Sequence, residues 1–377
     1  MKKVMVVAAG IMLAAVVVQA QDIEKFDPRM ALEKAVVDTN GVKWIDGRYL
    51  PLEGKYFSDV DDFYDRLPSG VTTNVNAGVR GMKHHTSGML FRFRTDSKHL
   101  TFRWVPYNPR LEMGHMPATG VSGIDVYRQL PDGRWFYVKT GRIGNPKGGE
   151  LSISWTPGEA CLVNLPLYNG IREFKLGIDK GAKVEALGPR KSGIDKPVVF
   201  YGTSITQGGC ASRPGMSFVN IVGRDLDVPV VNLGFSGSGL MELEMSEHLA
   251  AIDASCYVLD CVWNMRSMTT DAFRDRYETF IRNLRARRPN VPIVMAGMSD
   301  VYCGGPNDKD DCVRVLYERL LAEGWTDLGH LPKDGMYSGD YEGTVDGTHA
   351  NNLGMRSLAK AYGKAVARLL QLGGANE

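Results

Sequence analysis

The stretch "FYGTSITQGG", residues 200–209, sets Ser204 between a short apolar run and a cluster of glycines. A serine hydroxyl is a weak nucleophile until a neighbouring base takes its proton and a third group orients that base. Near the other end of the chain, "VDGTHANNLG" places Asp346 three residues before His349. A turn of that length can bring a carboxylate up to the imidazole that follows it, fixing its tautomer and stabilising the imidazolium. Acyl transfer also needs donors for the oxyanion that develops on the carbonyl. Three candidates are the N–H of Ser204, the N–H of Gly237 in "NLGFSGSG" and the side-chain NH₂ of Asn264 in "CVWNM". At Gly237 no side chain would keep a substrate from the backbone. Taken singly, each residue has an ordinary use. A serine after a strand caps or turns, D-x-x-H is a surface turn, the glycines serve a tight loop or an anion nest, and an asparagine ends a strand. Together they fit a catalytic set of Ser204, Asp346 and His349 with an oxyanion hole of Ser204, Gly237 and Asn264.

Such a set needs elements that deliver it to one place. From Pro197 onward, apolar strand candidates (198–201, 230–233, 257–262, 292–296) alternate with helix candidates (270–288, 310–323, 353–370). In the first helix, Phe273, Tyr277, Ile281 and Leu284 recur at helical spacing. This rhythm predicts a mainly parallel sheet covered on both faces, with ligands bound beyond the carboxyl ends of the strands. Ser204, Gly237 and Asn264 each follow a strand candidate, so all should open on that edge. Upstream, period-two alternation dominates and predicts a β-sandwich of about 160 residues. Three hairpins are expected: across residues 89–104, across 123–140 with a turn at Pro131-Asp132-Gly133, and across 162–178 with a turn at Asn169-Gly170.

The blocks "GTSITQG", "NLGFSG", "WN" and "DGTH" resemble those of the SGNH (GDSL-type) hydrolases, over the span from Pro197 to the C-terminus. "GIDVY", residues 123–127, resembles the G-x-D-L-Y signature of an N-terminal β domain found in one subgroup. The resemblance implies a flavodoxin-like three-layer α/β/α domain preceded by an all-β sandwich-like domain. It also implies ester hydrolysis without metal or organic cofactor, with Ser204 as nucleophile, Asp346 and His349 completing the triad, and Gly237 and Asn264 as oxyanion donors. The chain departs from the family pattern in three places: Thr203 stands where Asp is usual, "VWNM" replaces Gly-x-Asn-Asp, and Ala350 follows the histidine where Pro is common. The domain reading is therefore residues 1–20 as a signal peptide, 21–190 as the β domain and 196–377 as the hydrolase domain.

Lys2 and Lys3 followed by an apolar stretch over residues 4–18, with Val18 and Ala20 before Gln21, read as a cleavable secretory leader. An uncleaved anchor is the other reading, but the stretch is short of the ~20 residues that span a bilayer. The product is expected in the periplasm or outside the cell, with no integral membrane segment after cleavage. Of the 377 residues, 44% are apolar and 23% charged, with a formal charge of +2. That balance fits a globular protein and offers no electrostatic ground for nucleic acid as a partner. Cys256 and Cys261 read as buried thiols on opposite strand faces, while Cys303 and Cys312 could close the polar loop between them. The histidines His84, His85, His99 and His115 lack any metal-ligand spacing, and His115 reads as a loop residue that caps a turn or leans toward the site. "GFSGS", residues 234–238, misses the G-x-S-x-G elbow by having Ser238 in place of the last glycine. The expected activity is that of an exported serine esterase on a small ester or an acetylated glycan, rising as His349 loses its proton. A lipase, thioesterase or arylesterase of the same fold, a non-catalytic glycan-binding protein and a structural partner in a surface complex are the alternatives.

Overall fold

Burial of alternate residues decides how the second half of the chain folds. A computed structural model describes residues 36–299, 308–334, 336–337, 340 and 342–372. Sixteen strands among the described residues are numbered in chain order, and the last five form one parallel sheet: β12 (Val198–Gly202), β13 (Val230–Gly234), β14 (Cys256–Asp260), β15 (Ile293–Ala296) and β16 (Leu328–Leu331). Their order is β13-β12-β14-β15-β16, the flavodoxin-like arrangement with its switch point beside the first strand. Val199, Tyr201, Tyr257 and Leu259 enter one apolar core; Val198, Phe200, Cys256 and Val258 enter the other. Both faces are buried, which is why these strands read as continuous apolar runs.

Of the nine α-helices among the described residues, numbered in chain order, α5 (Leu243–Ala251), α7 (Thr270–Arg287) and α8 (Asp308–Ala322) cover the first face. Helices α4 (Phe218–Asp225) and α9 (Asn352–Leu369) cover the second. Phe273, Tyr277, Phe280, Ile281 and Leu284 form the buried stripe of α7. The expected three-layer architecture is thus present, with an additional strand, β16, in "LGHL" that alternation did not mark. The predicted third strand ends at Asp260 rather than at residue 262. No helix among the described residues is long and apolar enough to cross a membrane.

The first half is a sandwich of two antiparallel sheets. One sheet runs β1 (Val36–Val37), β2 (Val42–Asp46), β10 (Ile171–Asp179), β5 (His99–Pro106), β8 (Gly149–Ser154). The other runs β11 (Val184–Ala186), β4 (Leu90–Thr95), β9 (Ala160–Asn164), β6 (Ile124–Gln129), β7 (Trp135–Gly141), with β3 (Leu52–Glu53) beside β4. Phe91, Phe93, Phe102, Trp104 and Phe174 fill the space between them.

Two of the three expected hairpins are absent. Strands β6 and β7 do pair, but β4 and β5 lie in different sheets, as do β9 and β10. Alternation reports that a strand has one buried face; it does not name the partner. What the sequence pattern lacked was the chemistry of the corners. At the first crossing Ser97 is buried, and Asp179 Oδ2 accepts from the Lys98 N–H at 2.7 Å and from Ser97 Oγ at 3.1 Å. At the second, buried Asn169 accepts from the Asn108 N–H at 2.8 Å and donates to its carbonyl at 2.9 Å. Side chains satisfy backbone groups that a hairpin would have paired.

Between β3 and β4 lies an irregular segment, residues 54–89, with one short helix, α1 (Ala77–Met82). Its Leu67, Val75 and Val79 pack not in the sandwich but in the hydrolase-side core, beside Leu233, Phe235 and Met241. The β half therefore contributes a piece of the second core.

Candidate active site

Strand β12 ends at Gly202, where an added Cβ would lie 2.0 Å from Thr206 Oγ1; only a glycine lets the chain turn there. Thr203 then caps a single helical turn, α3 (Ser204–Gln207): its hydroxyl accepts from the Ile205 N–H, and Thr206 Oγ1 accepts from the Thr203 N–H. Thr206 in turn donates to the buried Asp260 carboxylate at the end of β14, at 2.6 Å. Ser204 thus sits at the first position of a capped turn, at the switch point of the sheet, 4% exposed. Its carbonyl accepts from the Gly209 N–H at 2.7 Å and from the Tyr168 hydroxyl at 2.8 Å.

Ser204 Oγ lies 3.0 Å from His349 Nε2, and His349 Nδ1 lies 2.7 Å from Asp346 Oδ2. Residues 145 positions apart in sequence are thus in hydrogen-bond contact. The loop that carries the pair is self-supporting. Asp346 Oδ1 accepts from the N–H groups of Thr348 and His349 at 3.0 and 2.7 Å. Gly347 turns at φ +83°, and the Val345 N–H donates to the His349 carbonyl at 2.9 Å. Asn351 caps α9 directly behind. Partial burial pushes the Asp346 carboxyl up, but the hydrogen bonds from the His349 backbone and ring and from Thr348 outweigh it. The net position is below the usual value, so Asp346 is a carboxylate.

The proposed oxyanion donors lie on the same edge, with one correction. Asn264 is not at a strand tip: it lies in a short helix, α6 (Val262–Met265), that follows β14. In the amide orientation that satisfies its neighbours, its oxygen accepts from the N–H groups of Ser238 and Gly239, both at 3.1 Å. This turns its NH₂ away from those two donors. Gly237 is exposed and left-handed, at φ +64°, and an added Cβ would meet nothing within 4 Å. The glycine is required by the backbone conformation there, not by a tight fit.

Several contributors gave no signal in the sequence. Arg66, from the irregular segment of the β half, is wholly buried. Its Nη1 donates to the carbonyls of Asn232 and Gly234 at 3.0 and 2.8 Å, fixing the end of β13 where the Gly237 loop begins. Burial pushes its pKa down to about 9. Gln207 accepts from the Ser236 N–H at 3.0 Å and faces His85 Nδ1 at 2.9 Å. The four histidines without metal spacing scatter: His84 pairs with Asp65, His85 with Gln207 and His99 with Asp179. His115 alone leans on the site, its ring centroid 5.5 Å from that of His349. Cys256 and Cys261 are buried free thiols in opposite cores. The leader and Cys303 lie outside the described residues, so the Cys303–Cys312 bridge does too.

The G-x-D-L-Y-like motif has a mechanical role. Buried Asp125 accepts from Arg213 Nη1 at 2.7 Å, from the Gly215 N–H at 2.9 Å and from Asn164 Nδ2 at 2.8 Å. It therefore grips the loop that follows the Ser204 turn.

Comparison with known proteins agrees with this geometry. Residues 195–367 match the GDSL-like Lipase/Acylhydrolase family, and residues 42–184 match the family described as the GxDLY N-terminus of Esterase_SGNH_hydro-type. No curated protein matches the chain. Among solved structures, a GDSL-like lipase from Bacteroides ovatus is 27% identical, with a TM-score of 0.78 over 88% of this chain and 98% of its own. A salicylyl-acyltransferase from a tetracycline biosynthetic pathway shares the fold at 20% identity and TM-score 0.73, covering 88% and 98%. So does a family two carbohydrate esterase from Cellvibrio japonicus, at 12% identity and TM-score 0.58 with the same coverage. The two family matches together span most of the chain: its C-terminal side is a domain of the GDSL-like lipase/acylhydrolase family and its N-terminal side a GxDLY domain.

Proposed function

We propose that this chain is an exported serine esterase that removes short acyl groups, acetyl foremost, from a carbohydrate. The observation that carries the reading is the unbroken contact from Ser204 Oγ through the His349 ring to Asp346, at 3.0 and 2.7 Å. In this mechanism Ser204 Oγ attacks the ester carbonyl while His349 Nε2 takes its proton. The N–H groups of Ser204 and Gly237 and the NH₂ of Asn264 receive the charge that develops on the carbonyl oxygen. The imidazolium, held by Asp346, passes the proton to the departing sugar alcohol, leaving an acyl-serine. Water attacks that ester, His349 again takes the proton, and the acid departs as Ser204 Oγ regains its hydrogen. The fold shared with family two carbohydrate esterases supports a sugar as the alcohol, and the basic and apolar leader of residues 1–20 supports export.

Purified protein should hydrolyse an aryl acetate, and Ser204→Ala and His349→Ala should each abolish that turnover. Acetate release from a panel of acetylated glycans then identifies the sugar. Equal turnover by all three proteins would remove Ser204 and His349 from the reaction, and no turnover by the wild type would leave a binding protein that merely keeps the fold.

A further inference from the structure

The Ser204 turn ends unusually. After Gly208 at φ +105°, Cys210 also adopts a left-handed conformation, φ +72°, although it carries a side chain. Outside glycine such a conformation is disfavoured, because Cβ crowds the following carbonyl. Cys210 is 5% exposed, and it is not disulfide-bonded. Its Sγ, a ring nitrogen of His115 and a ring nitrogen of His349 all lie within 4.8 Å of one another. The edge of the His349 ring that bears Nε2 faces this turn, since a Cβ on Gly209 would stand 3.3 Å from His349 Cδ2. His115 arrives from the β domain, from a loop closed by the Met113–Met116 bridge. Two imidazoles and a thiol from three separate segments therefore converge at the mouth of the site.

From this convergence we propose a zinc-binding site made of Cys210, His115 and His349, whose occupancy silences the serine. Zinc takes thiolate and imidazole ligands at about 2.3 and about 2.0–2.1 Å in a tetrahedron, which sets ligand atoms roughly 3.3–3.7 Å apart. Side-chain rotations of about an ångström bring the trio to that spacing, and solvent fills the fourth position. The carboxylate that already holds His349 Nδ1 is the partner metal-bound histidines usually have. Binding releases the Cys210 thiol proton to solvent and occupies His349 Nε2, the nitrogen that faces Ser204 Oγ. The base is then unable to accept the serine proton. A divalent metal would thus act as a reversible inhibitor, with the β domain supplying one ligand.

The experiment measures metal binding and turnover separately. Metal-free protein is titrated with Zn²⁺ against a chromogenic chelator, and with Co²⁺ to look for a thiolate-to-cobalt charge-transfer band. Wild type should bind one zinc per chain at micromolar concentration or below. Cys210→Ser and His115→Ala should each weaken binding by at least about tenfold, and Cys210→Ser should abolish the cobalt band. Aryl acetate turnover should fall in step with occupancy in the wild type and persist in both variants at the same zinc concentration. Absence of one-to-one binding, binding unaffected by both substitutions, or full occupancy with undiminished turnover would each overturn the proposal. If metal-free wild type shows no turnover, the esterase reading and the inhibition both fall, and the binding titration still decides the site itself.

Discussion

At the scale of the residue, the proposed triad and the proposed oxyanion donors make different demands. Asp346 works through its charge and its aim, and both are secured by backbone donors in its own loop. Because its pKa sits below the usual carboxylate value, it remains ionised through mildly acidic pH. Asp346→Asn keeps the shape but offers the imidazole an amide that favours the wrong tautomer. Its kcat should fall by roughly 10²–10⁴, with KM little changed; a variant retaining most of the wild-type kcat would remove Asp346 from the mechanism. Asn264 demands less, since two backbone donors remain without it. Asn264→Ala should lower kcat by on the order of a hundredfold. A change confined to KM would mean that Asn264 only supports the 235–239 loop through its contacts with Ser238 and Gly239.

At the scale of the element, Asp260 shows how the sheet holds the Ser204 turn. Burial pushes its pKa from 3.8 up to about 6, against the hydrogen bond from Thr206. The folded-state value lies above the unfolded one, so protonation favours folding. That stabilisation is complete below about pH 4 and is lost as pH rises through about 6. Two units at about 1.4 kcal/mol each correspond to roughly 3 kcal/mol. Asp260→Asn does not titrate, so the stability of wild type relative to it, from urea melts on either side of this window, should decline by about that much as pH rises. A difference flat in pH would refute the buried charge. The same scale explains what was legible beforehand. The parallel strands were readable because both faces are buried and their apolar runs are continuous. Ser204, Gly237 and Asn264 could be placed because each follows such a run. The sandwich strands were readable as strands, but their pairing was not, because Ser97, Asp179 and Asn169 act on backbone groups remote in sequence. Arg66 was hidden for the same reason: nothing nearby in the chain indicates that it reaches carbonyls 166 and 168 positions away.

At the scale of the whole molecule, the β domain is joined to the hydrolase through buried polar contacts that end near His349. Asp125 holds Arg213 and the Gly215 N–H. One residue earlier, the Ser212 carbonyl accepts from Thr119 Oγ1 at 2.6 Å, and its N–H donates to Asn352 Oδ1 at 3.1 Å. Asn352 opens α9, three residues beyond His349. A defect at Asp125 should therefore be felt both in stability and in the triad. Asp125→Ala leaves the guanidinium of Arg213, whose side chain is 18% exposed, without its carboxylate. Removing one partner of such a buried pair costs about 3–5 kcal/mol. The variant should melt well below wild type, and its kcat for aryl acetate should drop at temperatures where it is still folded. Because the contacts cross between the halves, wild type should unfold in a single transition, and the variant should lower that transition as a unit or split it in two. A variant that melts with the wild type and keeps its kcat would mean that the two halves merely adjoin, and that the motif at residues 123–127 serves the sandwich alone.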